Sequence, residues 1–422
     1  MPRAMCYAYA TFLFVALCIV PEGKAATPYT FSEIAFPGVS YTEPFGINDS
    51  GQLVGVYQDA STTFHGFLLS GGTYTSIDVP PAFGAVGGPS GGTYAIGINS
   101  SGDIVGNYFT CSVPNGYGCR HSYLLSNGVF TALPDAPGSM PGTTAAWSIN
   151  SSGQIVGWYV DPCFCKTHGF LFSGGNYTTI DQPGFSTTYV TGGINDSGQV
   201  VGSSTQCWGC GTSQGFSLTN GVFTTIDVPV SAAYTELAGI NNAGDVAGRY
   251  YNGQLHAFVL SAGTFTYIDH PAATQGTAIE GQGINSARQL VGIYISSDGL
   301  VHGFLATPAP TYSICLLYDS TKAAKSGATI PIKLQLCDSS GANLSSASIT
   351  LHATSLNLAS SNVSGAVQDA GNANPDNDFR YDPTLAGYIF NLKTTGLATG
   401  TYNLNFQASG DLATYTAPFQ VK

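Results

Sequence analysis

One short phrase constrains this chain more than any other feature, because it is spelled six times. Gly46-Ile47-Asn48-Asp49-Ser50-Gly51-Gln52-Leu53-Val54-Gly55 returns with its asparagine at Asn99, Asn150, Asn195, Asn241 and Asn285. Each asparagine follows an Ile, and a Gly stands three residues on in every copy but the last, where Arg288 takes its place. The spacing of 44 to 51 residues marks a repeat architecture, in which each unit buries its apolar face only against its neighbours. Behind the phrase come an apolar run opened by a histidine (His65-Gly66-Phe67-Leu68-Leu69) and a run of the type Tyr74-Thr75-Ser76-Ile77-Asp78.

Each repeat reads as four short strands. The first ends at Ile-Asn, the second covers Gln52 to Tyr57, the third His65 to Leu69 and the fourth Thr73 to Asp78. Between third and fourth stand Ser70-Gly71-Gly72, Ser126-Asn127-Gly128 or Thr219-Asn220-Gly221, residues that supply the positive φ of tight hairpins. Four antiparallel strands at this period predict a β-propeller blade. The sixth repeat stops at His302-Gly303-Phe304-Leu305 without a fourth strand, while a spare strand, Tyr29 to Phe36, precedes the first. Pairing the two closes a ring and removes both open edges. The expected fold is therefore all-β: a six-bladed propeller of four-stranded blades over 26–307, closed by an N-terminal strand.

Gly-Ile-Asn-x-x-Gly-x-x-x-Gly followed by His-x-Phe-Leu resembles the bacterial extracellular HAF repeat over roughly residues 29 to 307. The match is literal at His256-Ala257-Phe258 and close at His65-Gly66-Phe67, His121-Ser122-Tyr123, His168-Gly169-Phe170 and His302-Gly303-Phe304. The fourth repeat departs with Gln214-Gly215-Phe216. The resemblance implies secretion and a propeller-like fold, with no established activity and no catalytic residues.

Past Thr307-Pro308-Ala309-Pro310, a linker by composition, six strand-like runs between Tyr312 and Val421 predict an immunoglobulin-like β-sandwich over 308–422. Leu397-Ala398-Thr399-Gly400-Thr401-Tyr402 resembles the tyrosine corner of bacterial immunoglobulin-like modules, with Tyr402 bonding back to the turn. Ile330-Pro331-Ile332-Lys333-Leu334 is similar to the PxKF-type domain, with Leu334 where that pattern has Phe. Such modules are spacers or adhesive parts. Asn372 to Asp378 is an oxygen-rich stretch that reads as a solvated loop, with calcium as the alternative.

Charged residues make up only 9% of the chain and the formal net charge is −12, so no basic stripe exists for nucleic acid or an anionic membrane. Arg3, the apolar run Tyr7 to Val20 and the small residues around Ala25 predict a secretory signal over 1–25, a membrane anchor being the alternative. The expected location is secreted or at the cell surface, with no membrane insertion after cleavage. Removing 1–25 leaves eight cysteines. Cys111 and Cys119 flank a turn centred on Asn115, and Cys315 and Cys337 flank one near Ser326, so each pair is a disulfide candidate. Cys163, Cys165, Cys207 and Cys210 either close locally, cross-link neighbouring loops or hold zinc.

The repeated histidines, asparagines and the aspartates Asp78, Asp181, Asp227 and Asp269 read as framework: one structural hydrogen bond per blade for His, turn caps for Asn and Asp. Loop lengths point elsewhere. The connections from second to third and fourth to first strands are long and varied, and in a propeller they share one face, which becomes the candidate ligand face. It carries Phe164, Trp208 and Tyr117. Three of the four glutamates of the chain past residue 25, Glu43, Glu236 and Glu280, each stand five residues before the repeat asparagine, in repeats one, five and six, which a closed ring makes neighbours. Tyr94, Ala145 and Val190 hold that position elsewhere. Carboxylates at a channel mouth suit a cationic group, Ca²⁺ or, beside Tyr94 and Trp208, sugar hydroxyls. The sequence thus favours a non-catalytic binding or adhesion protein for an extracellular glycan or protein ligand, without a required cofactor. The alternatives are a polysaccharide hydrolase or lyase using the acidic mouth, which the scarcity of cations disfavours, and a structural surface protein.

Overall fold

The computed structural model describes residues 29–87, 91–111, 119–206, 212–360, 364–367, 374–411 and 413–422. The expected signal segment, Tyr117, Trp208, Cys207, Cys210 and Asn372 lie outside them. Among the described residues there is no α-helix, and no helix long and apolar enough to cross a membrane.

Each of the first five repeats forms four antiparallel strands in chain order, as its alternating pattern predicts, and the sixth forms three. The first repeat is Tyr41–Ile47, Leu53–Gln58, Phe64–Ser70 and Thr73–Ile77. Its third-to-fourth turn places Gly71 at φ 56° and Gly72 at φ 81°, and Asn127-Gly128 and Asn220-Gly221 repeat the geometry. The last Gly of the phrase has a different cause: a Cβ on Gly55 would lie 2.2 Å from the Glu43 carbonyl and 2.7 Å from the buried Phe67 ring.

The six inner strands (Tyr41–Ile47, Gly92–Ile98, Ala145–Ile149, Thr187–Ile194, Tyr234–Ile240 and Gly276–Ile284) contact one another in sequence, and the sixth returns to contact the first. The sixth sheet is completed by Tyr29–Ile34, which pairs antiparallel with Val301–Pro308, Glu33 facing Phe304 and Tyr29 facing Pro308. Thr307 and Pro308, read from composition as linker, belong to that strand. Its partner holds them there by hydrogen bonding, Thr30 donating to the Thr307 carbonyl.

The asparagines lock this ring. Each side-chain amide donates to the backbone carbonyl of the next repeat's asparagine at 3.0–3.2 Å, and Asn285 donates to Asn48. Each Oδ1 also accepts from the amide four residues on, the local cap the sequence suggested. The cap was legible, the bond between repeats was not. All six asparagines are buried, so both halves of each amide are committed away from water.

The C-terminal region forms two further four-stranded sheets. One contains Ser313–Leu316, Thr329–Cys337, Gly387–Lys393 and Arg380–Asp382; the other Ser364–Gly365, Leu351–Leu358, Gly400–Ala408 and Thr414–Val421. Leu334, Tyr388 and Phe390 from the first and Leu404 and Phe406 from the second share one core. Tyr402 donates through its hydroxyl to the Ala398 carbonyl at 3.1 Å, the corner expected from Leu397 to Tyr402. Cys315 and Cys337 are joined across Cα atoms 6.1 Å apart. The strand register sets Cys315 against Gln335, so the bridge runs diagonally rather than between directly opposed residues.

Candidate functional site

The inner strands have two different ends. At the asparagine end the channel is narrow, lined by the Asn ring and crossed by Gln282, which accepts from the Ile98 amide and donates to the Ile149 carbonyl. At the other end three acidic side chains meet one cation. Arg249, directly opposite Glu236 on the adjacent strand, donates from Nε to Glu236 at 2.8 Å, and its Nη1 is bonded to Glu280. Glu43 accepts a hydrogen bond from Tyr41 and lies in hydrogen-bonding contact with Glu280. The sequence thus placed these three glutamates together, in the three neighbouring repeats that ring closure requires.

Their registers differ from the count of five residues. Tyr189 and Ala278, not Val190 and Glu280, occupy the strand position of Glu43 and Glu236, because bulges lengthen the inner strands of repeats four and six. Glu280 sits inside the bulge between Ile279 and Ile284, where Gly281 turns through φ 58° against the Phe45 carbonyl. The same bulge delivers Gln282 to the channel. Arg249 is the residue that sequence reading overlooked. The scarcity of cations weighs against a hydrolase or lyase at the acidic mouth, yet one of the few arginines is paired there to both Glu236 and Glu280.

Burial and the neighbouring Glu280 push the Glu43 carboxyl up to about 8, so near neutrality it holds its proton. Burial opposes the charge on Arg249, but Glu280 and Glu236 outweigh it and keep the guanidinium protonated. Tyr94 is raised by burial and by Glu43, which places it beside the acidic group. It packs against Phe64 and Phe109.

A cavity of about 270 Å³ opens beside this cluster, lined by Glu236, Arg249, Glu280, Trp147, Trp158 and Tyr189 among others. Trp158 meets Tyr189 edge to face at 5.7 Å, and the Arg120 guanidinium lies 4.9 Å from the Trp158 ring centroid. The buried Trp147 indole N–H has no hydrogen-bond partner among the described residues. The two tryptophans could have been suspected from their scarcity: the chain has only three. Of the other expected contact residues, Phe164 is exposed at a loop tip, on a loop that does not line this cavity.

The framework residues act largely as read. His65, His168 and His256 contact Asp78, Asp181 and Asp269 through Nδ1 at 2.7–3.0 Å and stack on Tyr57, Tyr159 and Tyr250. In repeat four Gln214 donates to Asp227 instead. These aspartates therefore partner the third strand rather than cap a turn, because the pairing of Gly66 with Ile77 sets His65 beside Asp78. In the sixth sheet Glu33 of the closing strand lies 3.6 Å from His302. Cys111 and Cys119 form a disulfide, whereas Cys163 and Cys165 are free and exposed, bonded neither to each other nor to another cysteine among the described residues. In the oxygen-rich stretch, Asn374 is bonded to the Asn391 backbone and Asp378 to His352.

No family model and no curated protein matches the chain. Solved structures to which the chain is similar include the β-propeller domain of the Trilobed protease from Pyrococcus furiosus, of open velcro topology. It is 10% identical with a TM-score of 0.40, over 64% of this chain and 94% of that one. A mutant of AofleA from Arthrobotrys oligospora is 11% identical with a TM-score of 0.41, over 66% and 86%. A mutant Aleuria aurantia lectin in complex with Fucalpha1-6GlcNAc is 12% identical with a TM-score of 0.36, over 64% and 96%.

Proposed function

We propose that the chain is a secreted or cell-surface binding protein, a six-bladed propeller of the HAF-repeat type carrying an immunoglobulin-like sandwich as spacer. Its ligand is a glycan, held in the cavity beside Glu236, Arg249 and Glu280. The observation that carries this reading is the lining itself. Two tryptophans and a tyrosine offer apolar faces, two carboxylates offer acceptors, and Arg249 offers donors. A sugar ring presents the complement: an apolar face ringed by hydroxyls that donate and accept. Arg249 spans Glu236 and Glu280, so the carboxylates are already compensated and the pocket favours a neutral polyol over a strongly cationic ligand.

Glycan-array binding of the full chain tests this, with Trp158→Ala and Glu236→Gln as variants. At least a tenfold loss of affinity in Trp158→Ala is expected. Absence of binding by the wild type, or equal binding by both variants, overturns the proposal. One observation supports a second reading as a polysaccharide hydrolase or lyase. Glu43 keeps its proton, as a general acid must, although its hydrogen-bonding contact with Glu280 is closer than the roughly 5–9.5 Å that separates the two carboxyls of a glycosidase. Turnover of a bound glycan that disappears in Glu43→Gln would establish that reading; binding without turnover leaves the binding protein.

A further inference from the structure

The cysteine pattern is uneven. Cys111–Cys119 and Cys315–Cys337 are closed as disulfides, yet Cys163 and Cys165 stand open on the loop between the second and third strands of repeat three. They are not alone there. Asp161 accepts the Cys163 thiol at 3.1 Å, and its other oxygen accepts the amides of Cys165 and Lys166, which fixes the carboxylate over the two sulfurs. One ligand atom from each of Asp161, Cys163 and Cys165 lies within 4.8 Å of the other two. The turn that achieves this passes through Phe164 in the left-handed region, φ 55°, a conformation that costs a bulky residue energy and turns both cysteines to one side. On the third strand that follows the loop, His168 contacts Asp181 through Nδ1 at 2.9 Å.

We propose that Asp161, Cys163 and Cys165 form a binding site for a single borderline-soft divalent cation, zinc in the first place. Two thiolates and a carboxylate are a zinc donor set, and donors about 2.0–2.3 Å from a tetrahedral ion sit roughly 3.3–3.8 Å apart. The three atoms therefore need to draw in by only about 1 Å, within the freedom of an exposed loop. Calcium and magnesium, which take oxygen ligands, do not fit two sulfurs.

Cobalt(II) is the direct probe. The purified full chain is expected to bind one equivalent and to show thiolate-to-cobalt charge-transfer absorption that zinc abolishes. Cys163→Ser/Cys165→Ser should lose the band and at least a hundredfold in affinity, and Asp161→Asn about tenfold. In the wild type, zinc should protect both thiols from alkylation, a readout that needs no variant. Failure to bind cobalt, a band that survives in the double variant, or peptide mapping that finds either cysteine in a disulfide each overturns the proposal.

Discussion

The two ends of the inner strands are built from the same repeats by opposite means. At the asparagine end all six copies do one thing, and the sum is a closed ring of side-chain-to-backbone bonds. At the glutamate end the copies differ: three repeats supply Glu43, Glu236 and Glu280, and others supply Trp147 and Tyr189. Identity makes the frame, because a ring closes only if every unit passes on the same bond. Divergence makes the site, because a cavity with distinct donors, acceptors and aromatic faces needs different residues at equivalent places.

The largest effect is expected from opening the frame. Deleting Tyr29–Ile34 strips the sixth sheet of its outer strand and uncovers the buried Phe304 and Ala306. The expected outcome is loss of the ring's cooperative thermal transition by calorimetry, with a separate transition for the C-terminal sheets retained, since total stabilities are only about 5–15 kcal/mol. A ring that still melts cooperatively would detach closure from stability.

Asn150→Ala removes one link and leaves the Asn195 carbonyl and the Gln154 amide without their buried partner. A cost of about 2–4 kcal/mol is expected from urea unfolding. A value under about 1 kcal/mol would mean that water replaces the link and that the ring is not a cooperative lock.

At the other end the sharpest test is pH. Glu43 keeps its proton up to about 8 in the fold, whereas its ordinary value is 4.5. Between those limits the native state holds a proton that the unfolded chain has lost, so stability is full below about 4.5 and falls as pH rises to about 8. Glu43→Gln should abolish that fall and be the more stable protein at pH 9, by about 1–3 kcal/mol in urea midpoints compared across pH. Equal slopes for variant and wild type would remove Glu43 as the cause.

Arg249→Leu leaves Glu236 and Glu280 facing each other without their shared cation. Because all three side chains retain 22–32% exposure, the expected loss is about 1–2 kcal/mol rather than the full cost of a buried pair. The smallest effect belongs to the histidines. His65→Gln copies the arrangement of Gln214 with Asp227 and should cost less than about 0.5 kcal/mol in thermal unfolding. A larger loss would show that stacking on Tyr57 matters more than the bond to Asp78.

Periodicity, turn residues and the displaced strand at Tyr29 were enough to read strand order, ring closure and the grouping of three glutamates, since all are consequences of repeat spacing. The partner of Asp78, Asp181 and Asp269 was misread because it lies across a strand pair, thirteen residues earlier, a separation that sequence alone does not privilege. Arg249, Trp147 and Trp158 escaped notice for a related reason. Each is a solitary departure from the repeat, and a pattern reveals what recurs.

What the sequence determined by itself is the circle: six copies of one hydrogen-bonding phrase and a spare strand admit little else. What only the tertiary structure decided is the site. A bulge in one inner strand moves Glu280 out of the repeat register and into contact with Glu43 and Arg249. The strands' own pairing is local and periodic, so it is written in the chain. The meeting of unlike residues across the channel depends on how far each strand bulges, and that is settled only when all six pack together.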